Sequence, residues 1–377
     1  MTRVVQLTSV HPWNDIRIFR KMARSVAAAG FDTHIVAVDR DSEANQELVV
    51  DGVRVHRLAG KDILGRRQRF WVGGRRAAAY AATLKPDILH VHDPELVPLV
   101  AARRWPGRVI FDSHESLPDQ IFAKNWIPKA LKPPFRTFAQ MLEAVATKRF
   151  DGIIGATPAI ASRFPKHKAQ TIQNYPISGE FARWNDLSGA ADWSNRPQAG
   201  IYVGAISRAR GILPLVAGLA KASRLDRLVL VGSFENVGLF EQAKATSGWE
   251  KVDYRGQLPR EQLAELMSSV RFGAVTFLPY PNHVEAQPNK MFEYLSAGLP
   301  VLASDFPLWR DIMGEDVAAY VEPNDPESIG RAIDAILSPS DAAQADRSRQ
   351  AAASIAGKLN WEAESERLIA YYRRLLG

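Results

Sequence analysis

Glu285 and Glu293 stand with seven residues between them, and the segment they bracket contains Pro288, Asn289 and Lys290. Pro288 suits the first position of a helix, Gly298 its end, and Pro300 the start of a following strand. A loop over 285–289 that runs into a helix N-terminus collects backbone N–H groups at one spot. That makes an anion site, and Lys290 in the first turn adds a cation suited to a diphosphate. Carboxylates flanking such a site are placed to accept hydrogen bonds from sugar hydroxyls. The spacing alone describes equally well a surface loop and an amphipathic helix with two solvated glutamates.

The first half has its own chemistry-bearing groups in His90-Val91-His92-Asp93-Pro94-Glu95 and Phe111-Asp112-Ser113-His114-Glu115. His90 and His92, two apart on a strand, face the same way, and with Asp93 they have the residue types of a metal site. No second well-spaced ligand cluster completes one, so no metal is expected, and His90 reads as a packed or hydrogen-bonded core residue. Near the N-terminus, Asp15 and Arg17 either meet a substrate or cap and pair on the first helix.

The elements that must position these groups alternate along the chain. Short apolar runs at 4–8, 34–38, 53–58, 88–92, 109–111 and 152–155 are separated by helix-period segments, including 14–29 closed by Gly30. Periodicity lapses over 181–200, which reads as a linker. It restarts with strands at 201–203, 228–231, 252–254 and 273–277, and with a strand after Pro300. The expectation is α/β, with two Rossmann-like doubly wound domains facing each other across a cleft. Residues 1–185 would form the first and 186–357 the second, with a terminal helix over 358–377 packing back on the first. A dinucleotide-binding turn is absent, since Ser9-Val10-His11-Pro12-Trp13 follows the first strand without glycine, and no P-loop occurs.

Length and charge agree with two domains. The 377 residues exceed the roughly 250–300 at which a single core stops growing. The chain has no cysteine, which removes disulfides, thiolate metal sites and cysteine nucleophiles. No signal peptide or 18-residue apolar run is visible, so a cytoplasmic protein is expected. The net charge of +7 divides into +11 over residues 1–185 and −4 over 186–377. Two clusters carry the excess: Arg66, Arg67, Arg69, Arg75 and Arg76 around Phe70 and Trp71, and Lys124, Lys129, Lys132 and Arg136 around Trp126, Ile127 and Phe135. Mixed basic and aromatic residues suit an anionic membrane surface, at about 1 kcal/mol per basic residue. A solvated basic helix face and single-strand nucleic-acid binding use the same residue types. Composition leaves these three readings open.

The ordered set of motifs resembles the retaining glycosyltransferases of family 4, the glycosyl transferases group 1, which have the GT-B fold. Glu285 and Glu293 match the family's E-x7-E motif, and 292–301, Phe-Glu-Tyr-Leu-Ser-Ala-Gly-Leu-Pro-Val, its continuation. Tyr202-Val203-Gly204, Arg210-Gly211, Tyr254-Arg255-Gly256 and the two first-half segments fall in the family's order. The resemblance implies transfer of a sugar from a nucleotide-diphosphate donor, UDP favoured, to a glycan or lipid-linked acceptor with retention, in bacterial polysaccharide or glycoconjugate synthesis. It also implies peripheral attachment at the inner membrane face, without nucleic acid. It implies catalytic roles for Glu285 at the donor sugar, His114 near the reaction centre and Arg210 at the leaving diphosphate. Glu293 would take the ribose, Lys290, Asn289 and Met291 the diphosphate beside Gly204, and Arg255 would lie near the base. Asp15, Arg17, His92 and Glu95 would face the acceptor. Ala205 stands where the family has an arginine, and Arg208 is the candidate substitute. No cofactor or obligate metal is implied. The alternatives are a GT-B sugar-nucleotide epimerase and a non-catalytic sugar- or phosphate-binding protein.

Overall fold

The computed structural model describes residues 1–63, 65, 68–123, 127–178 and 193–377. They form two units, Met1–Asn174 with Trp361–Gly377, and Tyr175–Asn360. The boundary expected at 185/186 lies outside the described residues, as does most of the expected linker; its described end is a 3-10 turn, Trp193–Asn195, and the start of a strand.

The first unit is built on β1 (Arg3–Thr8), β2 (Asp32–Asp39), β3 (Gln46–Val50), β4 (Val53–Ala59), β5 (Ile88–Val91), β6 (Arg108–Ser113), β7 (Gly152–Gly155) and β8 (Ala169–Thr171). Their order is β3-β4-β2-β1-β5-β6-β7-β8, parallel throughout except for the β3–β4 pair. Strands covered on both faces read as continuous apolar runs, and Val4, Val5, Leu7, Ile88, Leu89 and Val91 are fully buried. Sequence periodicity passed over β3, a half-exposed edge strand. It is returned to β4 by Asp51-Gly52, both at positive φ, the two-residue turn that fits a hairpin's twist.

The last helix, Trp361–Leu376, belongs to this unit. The Trp361 indole donates to Ser25 Oγ at 2.9 Å, Glu364 accepts from the Gln173 N–H at 2.9 Å, and Tyr371 Oη accepts from the Ile153 N–H at 3.0 Å. Three side chains of one helix face thus bind three separate segments of the Met1–Asn174 part.

The second unit holds β9 (Ala199–Val203), β10 (Arg227–Val231), β11 (Val252–Gly256), β12 (Phe272–Val275), β13 (Val301–Ser304) and β14 (Ala318–Val321). All are parallel, in the order β11-β10-β9-β12-β13-β14. Chain order reverses beside β1 in one sheet and beside β9 in the other. Such switch points leave a crevice beyond the strands' carboxyl ends, where ligands of doubly wound sheets bind. The segments singled out by sequence leave β1, β5 and β6 in the first unit, and β9 and β12 in the second.

Candidate active site

In the second unit the chain leaves β9 through Gly204, at φ +112°, and turns back at Gly211, at φ +75°. A Cβ on Gly211 would sit 1.9 Å from the Thr276 carbonyl oxygen, so only glycine lets this loop close on the end of β12. From β12 the chain passes the short helix Pro281–Val284 to Glu285, and then enters the helix Asn289–Ser296. Pro288 is the cap of that helix rather than its first residue. Trp309, fully buried, donates its indole N–H to the Ala286 carbonyl at 2.8 Å and holds the loop. Tyr294 Oη accepts the Val203 N–H at 2.8 Å and ties the helix to β9.

These restraints bring Lys290 and Arg210 together. Each ends 3.8 Å from the position a Cβ on Gly204 would occupy. Lys290 is only 7% exposed, and its Nζ lies 3.6 Å from the centroid of the Tyr202 ring with no hydrogen-bond partner among the described residues. Burial, and then the Arg210 guanidinium, hold the Lys290 ammonium well below the usual lysine range, against an upward pull from Glu293. A buried cation beside a second cation is unfavourable until an anion joins them. Glycine at 204 keeps the intervening space clear of a side chain.

The remaining second-unit residues are placed as follows. Glu285 is exposed, and its carboxylate has no hydrogen-bond partner among the described residues. Glu293 accepts from Arg260 at 3.0 Å, a partner that sequence reasoning missed because Arg260 opens a different helix, Arg260–Ser268. Met291 is fully buried in the core and its N–H donates to the Pro288 carbonyl at 3.0 Å, which takes it out of the expected diphosphate set, whereas Asn289 is exposed. Arg208 donates to Gln242, and Arg255 pairs with Asp253 at 2.7 Å. The cations beside Gly204 are Arg210 and Lys290, while Arg208 contacts Gln242.

In the first unit the carboxyl ends of β1, β5 and β6 carry a buried polar network. Asp112 receives both arms of Arg17, at 2.9 and 2.8 Å, and Arg17 also donates to the Ile172 carbonyl. His92 lies between Asp112 at 3.1 Å and Gln6 Oε1 at 2.7 Å, and His114 Nε2 reaches Asp112 Oδ2 at 2.8 Å. His90 bonds Tyr372 Oη at 2.6 Å, and Gln6 donates to the same oxygen. Asp112 is fully buried; desolvation alone would raise its pKa, but Arg17 and then His114 hold it well below the usual carboxylate range. Burial pushes the His90 and His92 imidazoles down.

This placement corrects the acceptor set. Arg17 and His92 are buried, out of an acceptor's reach, and support the site from beneath. Asp15 caps the π-helical turn Ile16–Ala23 by accepting from the Arg17 and Ile18 N–H groups. Glu95 pairs with Arg69 at 2.8 Å. His90, His92 and Asp112 gather metal-ligand atom types within 4.8 Å of one another, but Arg17 spans both oxygens of that carboxylate. Asp93 does another job: its Oδ2 accepts from Thr8 Oγ1 and from the Ser9 and Val10 N–H groups, stapling the loop that follows β1.

Comparison with known proteins identifies the family and the fold. Residues 16–172 match the model of the glycosyl transferase 4-like domain, and 192–354 that of the glycosyl transferases group 1. No curated protein matches by sequence. Among solved structures, sucrose-phosphate synthase from Thermosynechococcus elongatus superposes with a TM-score of 0.77 at 19% identity, covering 100% of this chain and 99% of that one. A UDP-forming trehalose-phosphate synthase from Burkholderia vietnamiensis gives 0.71 at 12% identity, over 100% and 98%. An Anabaena protein crystallised with UDP gives 0.66 at 13%, over 99% and 100%.

Proposed function

Because the chain belongs to the group 1 glycosyltransferases and has their GT-B fold, we propose that it moves a sugar from a nucleotide-diphosphate donor to a glycan or lipid-linked carbohydrate acceptor, with retention at the anomeric carbon. One observation carries the donor assignment: the unpartnered Lys290 ammonium and the Arg210 guanidinium converge on Gly204. Two cations and the first turn of the helix Asn289–Ser296 offer a diphosphate its counter-charge from the chain itself, without an obligate metal. UDP is the favoured carrier, since one structural neighbour is UDP-forming and another was crystallised with UDP.

In this reading Glu293 binds the ribose and Glu285 the sugar's hydroxyls. His114 also serves the sugar. The bond from the anomeric carbon to the diphosphate oxygen breaks as the acceptor oxygen bonds to that carbon from the same face. The acceptor's proton passes to the departing phosphate. Arg210 and Lys290 stabilise the charge that develops there, and positioning supplies much of the remaining acceleration.

A thermal-shift panel of UDP-, GDP- and ADP-sugars tests the donor. A ligand at 100 times its Kd stabilises by about 2.7 kcal/mol, a visible rise in melting temperature. No shift with any nucleotide sugar would remove the transferase reading. An epimeric sugar nucleotide formed from donor alone would favour the epimerase, and saturable binding without turnover the binding protein.

Peripheral binding to an anionic membrane belongs to the same reading. None of the described helices is long and apolar enough to cross a membrane. The helix Lys132–Arg149 leaves Phe138 and Met141 exposed, at 53% and 60%, on the same helix as Lys132 and Arg136, and Trp71 is exposed beneath Arg75. Arg69 and Arg76 are paired with Glu95 and Asp62, so they offer less charge than the sequence promised. Arg66, Arg67, Lys124 and Trp126 lie outside the described residues. Co-sedimentation with anionic but not zwitterionic vesicles, lost in Phe138→Asp, is the expected result.

A further inference from the structure

His114 sits at the carboxyl end of β6 with its side chain 22% exposed, and its two ring nitrogens have unlike surroundings. Nε2 faces Asp112 Oδ2 at 2.8 Å. Nδ1 has no partner among the described residues. Asp112 lies on the same strand, two residues earlier, and is wholly out of solvent. An ionised carboxylate only accepts hydrogen bonds, so the nitrogen facing it must carry a hydrogen. Arg17 keeps Asp112 in that state with a two-pronged contact on both oxygens, itself only 5% exposed.

We propose that Asp112, clamped by Arg17, is the positioning residue of this enzyme: it fixes His114 as the Nε2–H tautomer and so presents Nδ1 as a hydrogen-bond acceptor for a sugar hydroxyl. The proposal rests on the reading that His114 meets a sugar. It gives Arg17 a task different from acceptor binding and explains why a full charge pair is kept in the interior beside the site, where an apolar pair of similar volume would cost less. His92 completes the support. It is held between Gln6 and Asp112, contacts His114 Nε2 at 3.3 Å and packs edge-on against the His114 ring, which limits the ring's rotation. The tautomer is fixed by the second group, as hydrogen-bonded histidines generally are.

Nitrogen-15 NMR of histidine-labelled protein at pH 8, with His114 assigned through His114→Gln, reads the tautomer directly. The expected result is Nε2–H in the wild-type chain. In Asp112→Asn the His114 signals should move toward the Nδ1–H form, and kcat should fall by about 10²-fold or more while the donor KM stays within about threefold. Arg17→Lys, which keeps the charge but not the fork, should give a smaller loss in kcat with the Nε2–H form still dominant. An Nδ1–H tautomer in the wild type overturns the proposal even if Asp112→Asn does not fold, and so does an Asp112→Asn enzyme with undiminished kcat. Failure of every nucleotide sugar to react would instead remove the transferase reading, an outcome separate from the tautomer.

Discussion

Lys290 and Arg210 deliver their charges to one glycine: Nζ of the first and Nη1 of the second each lie 3.8 Å from where a Gly204 side chain would begin. They come from different elements, the helix after the Glu285 loop and the turn after β9, so this coincidence belongs to the fold. Among the described residues Lys290 Nζ has no hydrogen-bond partner, so on the proposed reading the pair is open to a diphosphate.

Its energetics predict a coupling to pH. Burial, then Arg210, lowers the pKa of Lys290, and a bound diphosphate must raise it. Binding therefore takes up a proton at pH values between the unliganded and liganded pKa, and UDP affinity falls as pH rises through that window. Calorimetry in buffers of different ionisation enthalpy should show the uptake. Lys290→Met should abolish it and weaken UDP by about 10- to 100-fold, the worth of a hydrogen bond to a charged group. The same variant should melt no lower than wild type without ligand, because it removes an uncompensated buried charge.

Glu285 makes no hydrogen bond among the described residues, so on the proposed reading its loss should touch turnover rather than folding. Glu285→Ala should lower kcat by roughly 10²-fold or more with an unchanged melting temperature. Unaltered turnover would remove the assignment of this carboxylate to the donor sugar.

Glu293 and Arg260 should behave as one unit. Their 3.0 Å contact is half-buried, and on the proposed reading Arg260 orients the carboxylate that would take the ribose. Either alanine variant should raise the donor KM several-fold with little change in kcat. The double variant should cost less than the sum of the two, as a double-mutant cycle will report.

Acid should weaken the first unit. His34 Nδ1 and His56 Nε2 are 2.9 Å apart in the interior of the sheet, and burial lowers both pKa values below 6.5. Facing them are Asp32 and Arg3, Glu47 and Arg54 from the neighbouring strands, and the Tyr80 hydroxyl. Because the unfolded chain takes up these protons first, stability is lost as pH falls through about 6.5 toward the lowered folded values. The melting temperature should drop between about pH 7 and pH 5, and His56→Gln should flatten that slope. A slope unaffected by the substitution would exclude this pair as its source.

Much of the fold and part of the site could be read before any coordinates. The strands were found because parallel sheets bury both faces and so spell continuous apolar runs, as at 88–91 and 228–231. β3 escaped because its faces are half exposed, although Asp51-Gly52 beside it was a legible hairpin signal. The loop and helix around Lys290 could be located because a helix start is written in consecutive residues, with Pro288 just ahead of Asn289 and Lys290.

The sequence by itself determined the two-sheet architecture and the family, since each depends on local pattern. Tertiary structure alone decided which side chains share a partner. It turned Arg17 inward to Asp112, 95 positions away, gave Arg260 to Glu293, and sent Arg208 to Gln242. It also brought Tyr372 of the last helix to His90, 282 residues distant. Charge and hydrogen-bonding capacity are properties of a residue type, but their satisfaction depends on proximity in space. A one-dimensional reading shows that Lys290 is a cation; only packing shows that it is buried with no hydrogen-bond partner among the described residues.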